Sequence, residues 1–311
     1  MSEITTDVDD LQGAAALPVV VGVDGSPASI RAAQWAAVAA DARRAPLHLV
    51  HVAGRHADAA ASAEILHNAC RAVHERWVRT SPTPPVISTR ALTGDPATRL
   101  IGLSADASEV VVGGVSAGSP TRVQVGSLAT TLAASSHSPV AVIRPPTSGA
   151  GAVGPVLVVT TPTDSGTSRA LSAAMRAATE RNSELVVVDV TRPTTRASAT
   201  QTDRKLEELL ADHGRQFPSV RTRLVTYFGH TRTAIERFSA PAQLVVTVRQ
   251  RKQLWPYPSG TSHTALHHTR CAVLVVPEQP ANPTAIDRLR FLVPHRGGAA
   301  GQAIRRPAVS G

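Results

Sequence analysis

The hydrophobic residues of this chain fall into short, nearly continuous runs, separated by longer stretches in which apolar positions recur with helical spacing. In the first half the runs predict strands at 19–23, 47–52, 86–92, 109–113 and 140–144. The stretches between them predict helices near 27–44, 56–79, 95–105 and 127–136. Uninterrupted apolar strands are typical of a parallel sheet covered on both faces. The first half is therefore predicted to form successive βα units whose five strands make one doubly wound sheet.

The same pattern occurs a second time. The segment that starts at Pro155 aligns with the one that starts at Pro18, so that Arg169 matches Arg31 and Leu185 matches Leu47 at one constant offset. Strands of the second copy are predicted at 156–160, 185–190, 221–227, 243–248 and 272–276. The chain thus predicts an α/β fold with two tandem, doubly wound, five-stranded and mostly parallel sheets. We expect the last strands of the two copies to pair with each other, which would cover both exposed edges.

The composition of the chain predicts where the domains begin and end. Residues 1–17 are predicted to be a disordered amino terminus, residues 18–145 the first domain and residues 155–277 the second. Residues 146–154 have the Pro-, Gly- and Ser-rich composition of a linker. Residues 278–311 are rich in Pro, Gly, Ala and Arg and predict a basic, disordered tail.

Charge and cysteine content narrow the choice of partners. The net charge is +9, and its excess lies after residue 154. All but Lys205 and Lys252 of the 32 basic residues are Arg, and aromatic residues make up only 3% of the chain. A nucleic-acid surface normally interleaves basic and aromatic residues, so the composition argues against a nucleic-acid partner.

Two further features bear on the cellular location. The two cysteines cannot form a disulfide framework, which favours a reducing compartment. The apolar run at 14–23 is too short to span a bilayer, so we expect a cytoplasmic protein.

A loop of small residues follows the fourth predicted strand. It runs from Gly113 to Gly126 and Ser127, where a helical pattern begins. Glycine lets backbone N–H groups come close to phosphate oxygens, the helix start offers unpaired N–H groups, and the Ser127 hydroxyl can donate to the same oxygens. No Lys follows the glycines, so this is not a P-loop, and it is not the dinucleotide fingerprint. The alternative is an ordinary loop between a strand and a helix.

Several short segments carry a resemblance to a known family. They are "VVVGVDGSPAS" from Val19, "PLHLVHV" on the second strand, "GDPA" at Gly94 and the closing "SPVAVIRP". Each copy resembles a universal stress protein domain, and the whole chain resembles the tandem form of that family. The resemblance implies a Rossmann-like fold of the adenine nucleotide alpha hydrolase-like type and a role in stress response.

The family's ATP-binding members share Gly, two residues, Gly, nine residues, then Gly-Ser or Gly-Thr. Here the spacing reads Gly113, Ser116, Gly126 and Ser127, with Ser in place of the second glycine. The resemblance implies that Asp24 faces the ribose or a phosphate-bound metal and that the Val52 backbone meets the adenine. The resemblance also implies that Gly113, Gly126 and Ser127 bind the phosphates. The full expected set is Gly22, Asp24, Val52, Gly113, Ser116, Gly126, Ser127 and Leu128, with ATP, alone or with Mg²⁺, as the ligand. An Asx turn that caps the following helix is the alternative role for Asp24.

The second copy departs from this pattern. Pro162 stands at the position of Asp24, and Thr247 and Gln250 replace the first two glycines, while Gly260 and Thr261 remain. Trp255 and Tyr257 in the same loop are interpreted as packing it shut. The second domain is therefore expected to be a degenerate copy with a structural or interaction role.

Several histidines and tryptophans are considered as metal ligands or as structural residues. His263 and His267 lie i, i+4 on one predicted helix, near His268 and Cys271, but no second ligand pair is apparent, so no metal site is predicted. His51 is interpreted as a satisfied buried histidine, and Trp35 and Trp77 as core or interface residues.

Three functions remain open. The first is a universal stress protein that binds ATP in domain 1 and regulates an unidentified protein partner, with no catalysis beyond a weak ATPase side activity. The second is a pure interaction or regulatory protein with no nucleotide in either copy. Both functions are compatible with a homodimer, which the sequence does not decide. The third is an adenylating enzyme, which "VDGSPAS" does not favour because it is not a pyrophosphate loop of the SGGxDS type.

Overall fold

The computed structural model describes residues 16–54, 58–77, 85–114, 126–145, 154–161, 166–191, 196–249 and 260–278. Within them the strands are β1 (Val19–Gly22), β2 (Leu47–Ala53), β3 (Ile87–Thr93), β4 (Glu109–Gly113), β5 (Val140–Ile143), β6 (Val156–Thr160), β7 (Leu185–Thr191), β8 (Thr222–Phe228), β9 (Leu244–Val248) and β10 (Ala272–Val276). The helices are α1 (Pro27–Ala42), α2 (Ala59–Trp77), α3 (Pro96–Leu103), α4 (Ser127–Ser135), α5 (Thr167–Glu180), α6 (Arg196–Gln216), α7 (Thr231–Ser239) and α8 (Thr261–His268). The predicted elements are all present, and none of their ends shifts by more than three residues. Most of the expected amino-terminal segment, linker and tail lies outside the described residues.

The ten strands form one sheet in the order β3-β2-β1-β4-β5-β10-β9-β6-β7-β8. Within each half the strands are parallel. The halves meet where β5 and β10 pair antiparallel, with Val142 opposite Val273 and Val140 opposite Val275. The predicted pairing of the two last strands is therefore present. The two predicted five-stranded sheets are halves of a single sheet, because that pairing continues the hydrogen-bonded ladder across the domain boundary.

Helices cover both faces of this sheet. Valine and leucine side chains of alternate strand positions pack with α1, α2, α5 and α6 on one face. The other strand positions pack with α3, α4, α7 and α8. Small residues such as Ala33, Ala36 and Ala40 let α1 lie close to the strands, which suits a chain with few aromatic residues. Trp77 is buried at the end of α2.

The outer strands differ from the expectation of full coverage. In β3 only the residues Ile87 and Leu92 are partly covered, and Ser88 to Ala91 are exposed. β8 shows the same partial cover, with Phe228 exposed at its end. These two strands are the edges of the sheet, so each has a neighbour on one side only. Their polar residues suit that position.

A buried ionic cluster joins the two domains on the α1–α5 face. Arg43, which caps the carboxyl end of α1, contacts Glu109 of its own domain and Glu180 of the other, both at 2.7 Å. Arg181, which caps α5, contacts Glu180 at 3.2 Å and places its guanidinium 4.0 Å from the centre of the Trp35 ring. Trp35 is thus an interface residue, one of the two roles predicted for it. The cluster balances two positive against two negative charges away from water.

Candidate functional site

The order of the strands reverses between β1 and β4 in the first domain. β1 is followed by β2 on one side and pairs with β4 on the other, with Val21 opposite Val111. A crevice at the carboxyl ends of the strands at such a reversal is where ligands bind in open α/β sheets. Asp24 follows β1, and Gly113 is the last residue of β4. The fold therefore brings these two predicted site residues to the same crevice.

Asp24 makes the Asx turn that the sequence suggested. Its Oδ1 accepts a hydrogen bond of 2.9 Å from the Ser26 N–H, and its own N–H donates to the Ser29 hydroxyl at 3.3 Å. Ser26 then caps α1 by accepting from the Ser29 N–H. Partial burial raises the pKa of Asp24, but hydrogen bonds from Ser26 and Ser29 outweigh it and hold the pKa below its ordinary value. Asp24 is therefore an exposed, ionised carboxylate with capacity to accept further hydrogen bonds.

Gly113 is required by packing. A Cβ added there would lie 2.7 Å from the carbonyl carbon of Ala28 and 2.9 Å from its carbonyl oxygen, in the first turn of α1. Gly22 is less constrained, since a Cβ there would lie 2.9 Å from Leu100 Cδ1, the end of a flexible side chain. The space beside Gly113 is already taken by the backbone of α1. Ala28, which the sequence reasoning did not consider, thus explains why β4 ends in glycine.

The backbone of Val52 points toward the crevice. Val50 accepts a hydrogen bond from the Val23 N–H, and Ala53 accepts one from the Gly94 N–H on the opposite side. Alternate residues of a parallel strand present their backbone groups to the same side. The N–H and C=O of Val52 therefore face the side of β1, beyond the last residue of that strand, Gly22.

The amino end of α4 carries the predicted Gly126, Ser127 and Leu128. Gly126 is the N-cap, with φ −63° and ψ 153°, and no side chain caps the helix there. Ser127 is exposed, whereas Leu128 is partly buried against the core and acts there as a packing residue. The helix start carries a partial positive charge and presents N–H groups without an intrahelical partner. Ser116 lies outside the described residues, so its position remains a prediction.

His51 is near the same crevice but is satisfied. Its Nδ1 lies 2.7 Å from the carbonyl oxygen of Val23. The side chain is partly buried, in accord with the structural role predicted for it.

The matching crevice of the second domain is narrow among the residues that the structure describes. The described residues around it leave a cavity of about 10 Å³, which is room for about one water molecule. Four hydroxyl-bearing residues take part in the lining: Thr160, Thr167, Thr247 and Thr261. A Cβ on Gly166 would lie 2.4 Å from Val248, so the start of α5 is packed directly on β9. Trp255 and Tyr257, predicted to close this loop, lie outside the described residues.

The histidines of α8 do not assemble a metal site. The rings of His263 and His267 lie with their centres 4.4 Å apart and their planes tilted by 39°, and His268 Nδ1 lies 3.3 Å from the Glu236 carboxylate. Among the residues that the structure describes, no group of three or more His, Cys, Asp or Glu side chains is arranged to hold a metal ion. In the same residues no helix is both long and apolar enough to cross a bilayer.

The sequence model of the Universal stress protein family matches residues 17–144 and again residues 153–277. The chain belongs to the universal stress protein family. One universal stress protein of Mycobacterium tuberculosis is 30% identical over 266 residues, which cover 83% of this chain and 95% of the relative. Another from the same organism is 40% identical over 135 residues, and that match spans only 48% of its length, so the chain covers about half of that relative.

Solved structures share the fold. A universal stress protein from Archaeoglobus fulgidus superimposes with a TM-score of 0.66 at 15% identity, over 85% of this chain and 99% of that one. A universal stress protein in complex with cAMP is 29% identical over 34% of this chain and 79% of its own, with a TM-score of 0.29. The first supports the tandem architecture. The second structure contains bound cAMP.

Proposed function

We propose that domain 1 of this universal stress protein binds an adenine nucleotide, with ATP as the expected ligand, and acts as a regulatory protein of the stress response. This is supported by the topology, since Asp24 follows β1, Val52 lies at the end of β2 and the uncapped start of α4 follows β4, all at the carboxyl ends of strands around one strand-order reversal. These groups offer three different kinds of contact. Together they match the three chemical parts of a nucleotide.

The phosphates fit the start of α4. Free N–H groups and the positive end of the helix dipole favour anions, and the Ser127 hydroxyl is exposed at this point. Gly126 has ordinary dihedral angles, so glycine is not required there by its backbone conformation. Its value is the absence of a side chain in front of the N–H groups.

The ribose and base fit the other side of the crevice. An ionised Asp24 accepts hydrogen bonds from ribose hydroxyls and repels phosphate, so it orients the nucleotide with the sugar toward β1. The Val52 N–H and C=O can pair with the donor and acceptor edge of a base. Asp24 alone is an incomplete ligand set for Mg²⁺, so a metal ion would be held chiefly by the ATP phosphates.

The test is equilibrium binding of labelled ATP, with ADP and cAMP as competitors, together with mass spectrometry of small molecules released from gently purified protein. Gly126→Asp should abolish binding, because the new carboxylate occupies the helix start and repels phosphate. The backbone angles of Gly126 suit Asp as an N-cap, so the variant should fold normally. His230→Asp places the same charge at the N-cap of α7 in domain 2 and should leave binding unchanged. Absence of binding to the unaltered protein would refute the proposal.

A second function is favoured by the contact between Gly113 and Ala28. That contact explains the glycine without any ligand, as expected for a protein that acts only through interaction with other proteins. Protein that binds neither ATP nor cAMP, yet retains a specific partner in pull-down experiments, would support this second function.

The proposed role is binding rather than catalysis. A bound nucleotide stabilises the conformation that holds it and so changes the surface offered to a protein partner. Pull-down experiments with and without ATP test this step: partner recovery that does not depend on ATP would contradict it.

A further inference from the structure

Two helices on the second face of the sheet end against an arginine of the opposite domain. Arg249, which follows β9 of domain 2, donates from Nη1 to the carbonyl oxygen of Ser136 at 2.9 Å, and Ser136 is the C-cap of α4 in domain 1. Arg144, which follows β5 of domain 1, donates to the carbonyl oxygen of Leu266 in α8. It also donates to the carbonyl oxygen and the hydroxyl of Thr269, the C-cap of α8, each at 2.5 Å.

The strand register explains why each arginine reaches the other domain. The Arg249 N–H donates to Val276 O at 2.8 Å, at the carboxyl end of β10. Since β5 runs antiparallel to β10, this point lies beside the amino end of β5, directly after α4. Arg144 is placed in the corresponding way beside the start of β10, directly after α8.

The two contacts suit the charge of a helix end. The last carbonyl groups of a helix lack intrahelical donors and carry a partial negative charge, which a guanidinium satisfies. Arg144 is 6% exposed. Burial lowers its pKa to about 10, against the opposing effect of Cys271, so the side chain stays charged at neutral pH.

The two arginines are not equivalent positions of the internal repeat. In the aligned copies Arg144 matches Pro277, and Arg249 matches Val115. The same crossed arrangement is therefore built from two different places in the repeat.

We propose that each domain completes the final helix of the other, with Arg249 holding the carboxyl end of α4 and Arg144 holding the carboxyl end of α8. The amino end of α4 forms the candidate phosphate site, so one element of that site is held in place by domain 2. This link consists of contacts within the chain and does not depend on the proposed function.

Hydrogen–deuterium exchange of the full-length protein without ligand tests the link. Arg249→Met should speed exchange of the last amides of α4 about tenfold while leaving α8 unchanged, because a charged hydrogen bond to a helix end is lost. Arg144→Lys should speed exchange at the end of α8 and leave α4 unchanged. Lysine keeps the charge at this buried position, so this variant is expected to fold.

Arg215→Met is the matched control, since Arg215 is an exposed arginine of domain 2 that pairs with Asp212 of its own helix, α6, on the opposite face of the sheet. It should alter neither α4 nor α8. Exchange that increases only within the domain carrying the substitution, or equally in all three variants, would overturn the inference.

A second measurement separates this inference from the proposed function. If domain 1 binds ATP, Arg249→Met should weaken that binding about fivefold from the other domain. Failure of the unaltered protein to bind ATP would refute the proposed function. It would not affect the inference about the two arginines, which the exchange measurements test separately.

Discussion

The Arg43 guanidinium lies 2.7 Å from the Glu180 carboxylate, across the boundary between the two domains. Arg43 and Arg181 are matching positions of the repeat, each at the carboxyl end of the first helix of its domain. Glu180 contacts both. The two copies thus place their equivalent arginines on one shared, buried acid, which is 4% exposed.

Replacement of that acid should destabilise the whole chain. Glu180→Gln leaves two arginines near each other with only Glu109 to balance them, at a predicted cost of about 3–5 kcal/mol in the free energy of unfolding. Urea denaturation measures it. Glu75→Gln, which breaks the exposed pair with Arg71, should cost under about 1 kcal/mol. Equal losses in the two variants would show that the shared acid has no special role.

Gly113→Ala should lower stability even without a nucleotide. The added methyl group would lie 2.7 Å from the Ala28 backbone, which predicts a loss of about 1–3 kcal/mol. Thermal unfolding without ligand measures it, and Gly54→Ala, where a Cβ meets nothing within 4 Å, is the control. If instead Gly113→Ala unfolds like the unaltered protein and only ATP binding falls, the glycine serves the ligand and not the packing.

The cap of α3 should make stability depend on pH in the acid range. Asp95 accepts from the Thr98 N–H and hydroxyl, both at 2.8 Å, and these bonds lower its pKa below the ordinary 3.8. A lowered pKa in the folded state means that the cap contributes fully above pH 3.8 and is lost as the pH falls through the folded value. Asp95→Ala should therefore cost about 1 kcal/mol at pH 7 and progressively less below pH 3.8.

Chemical denaturation of the two proteins between pH 7 and pH 2.5 measures this difference. Asp95→Asn retains an uncharged cap and should show a much smaller loss at pH 7. A constant difference between Asp95→Ala and the unaltered protein at every pH would contradict the assignment.

The Cys271 thiol should resist alkylation in the native protein. Burial raises its pKa to about 12, although the nearby charge of Arg144 acts in the opposite direction. Only the thiolate reacts readily, so iodoacetamide at pH 8 should modify Cys271 only after denaturation. Mass spectrometry of the Cys70→Ser variant, which leaves a single thiol, measures the modification. Fast native labelling would show that the start of β10 opens frequently.

The sequence predicted the architecture because the two periodicities are clear and repeated. Continuous apolar runs specify buried parallel strands, and the second copy confirmed each element of the first. The pairing of β5 with β10 followed from the need to cover two apolar edges. The crossing arginines could not be predicted in the same way, since Arg144 and Arg249 are single polar residues whose partners are backbone carbonyls more than 100 positions away.

The candidate site was predictable in part. The Asx turn at Asp24 follows from local chemistry within five residues, and the crevice follows from the strand order. The packing role of Gly113 could not be predicted from the sequence, because its contact with Ala28 depends on how α1 crosses the end of β4. A motif glycine looks the same in a sequence whether its missing side chain makes room for a ligand or for a neighbouring helix.

Antiparallel pairing of β5 with β10 has a consequence for how the molecule meets its surroundings. The strands of the two halves point in opposite directions, so the crevice of domain 1 and the matching crevice of domain 2 lie at opposite ends of the strands. No single small molecule can touch both. The antiparallel pairing thus keeps the proposed ligand crevice of domain 1 apart from the corresponding end of domain 2.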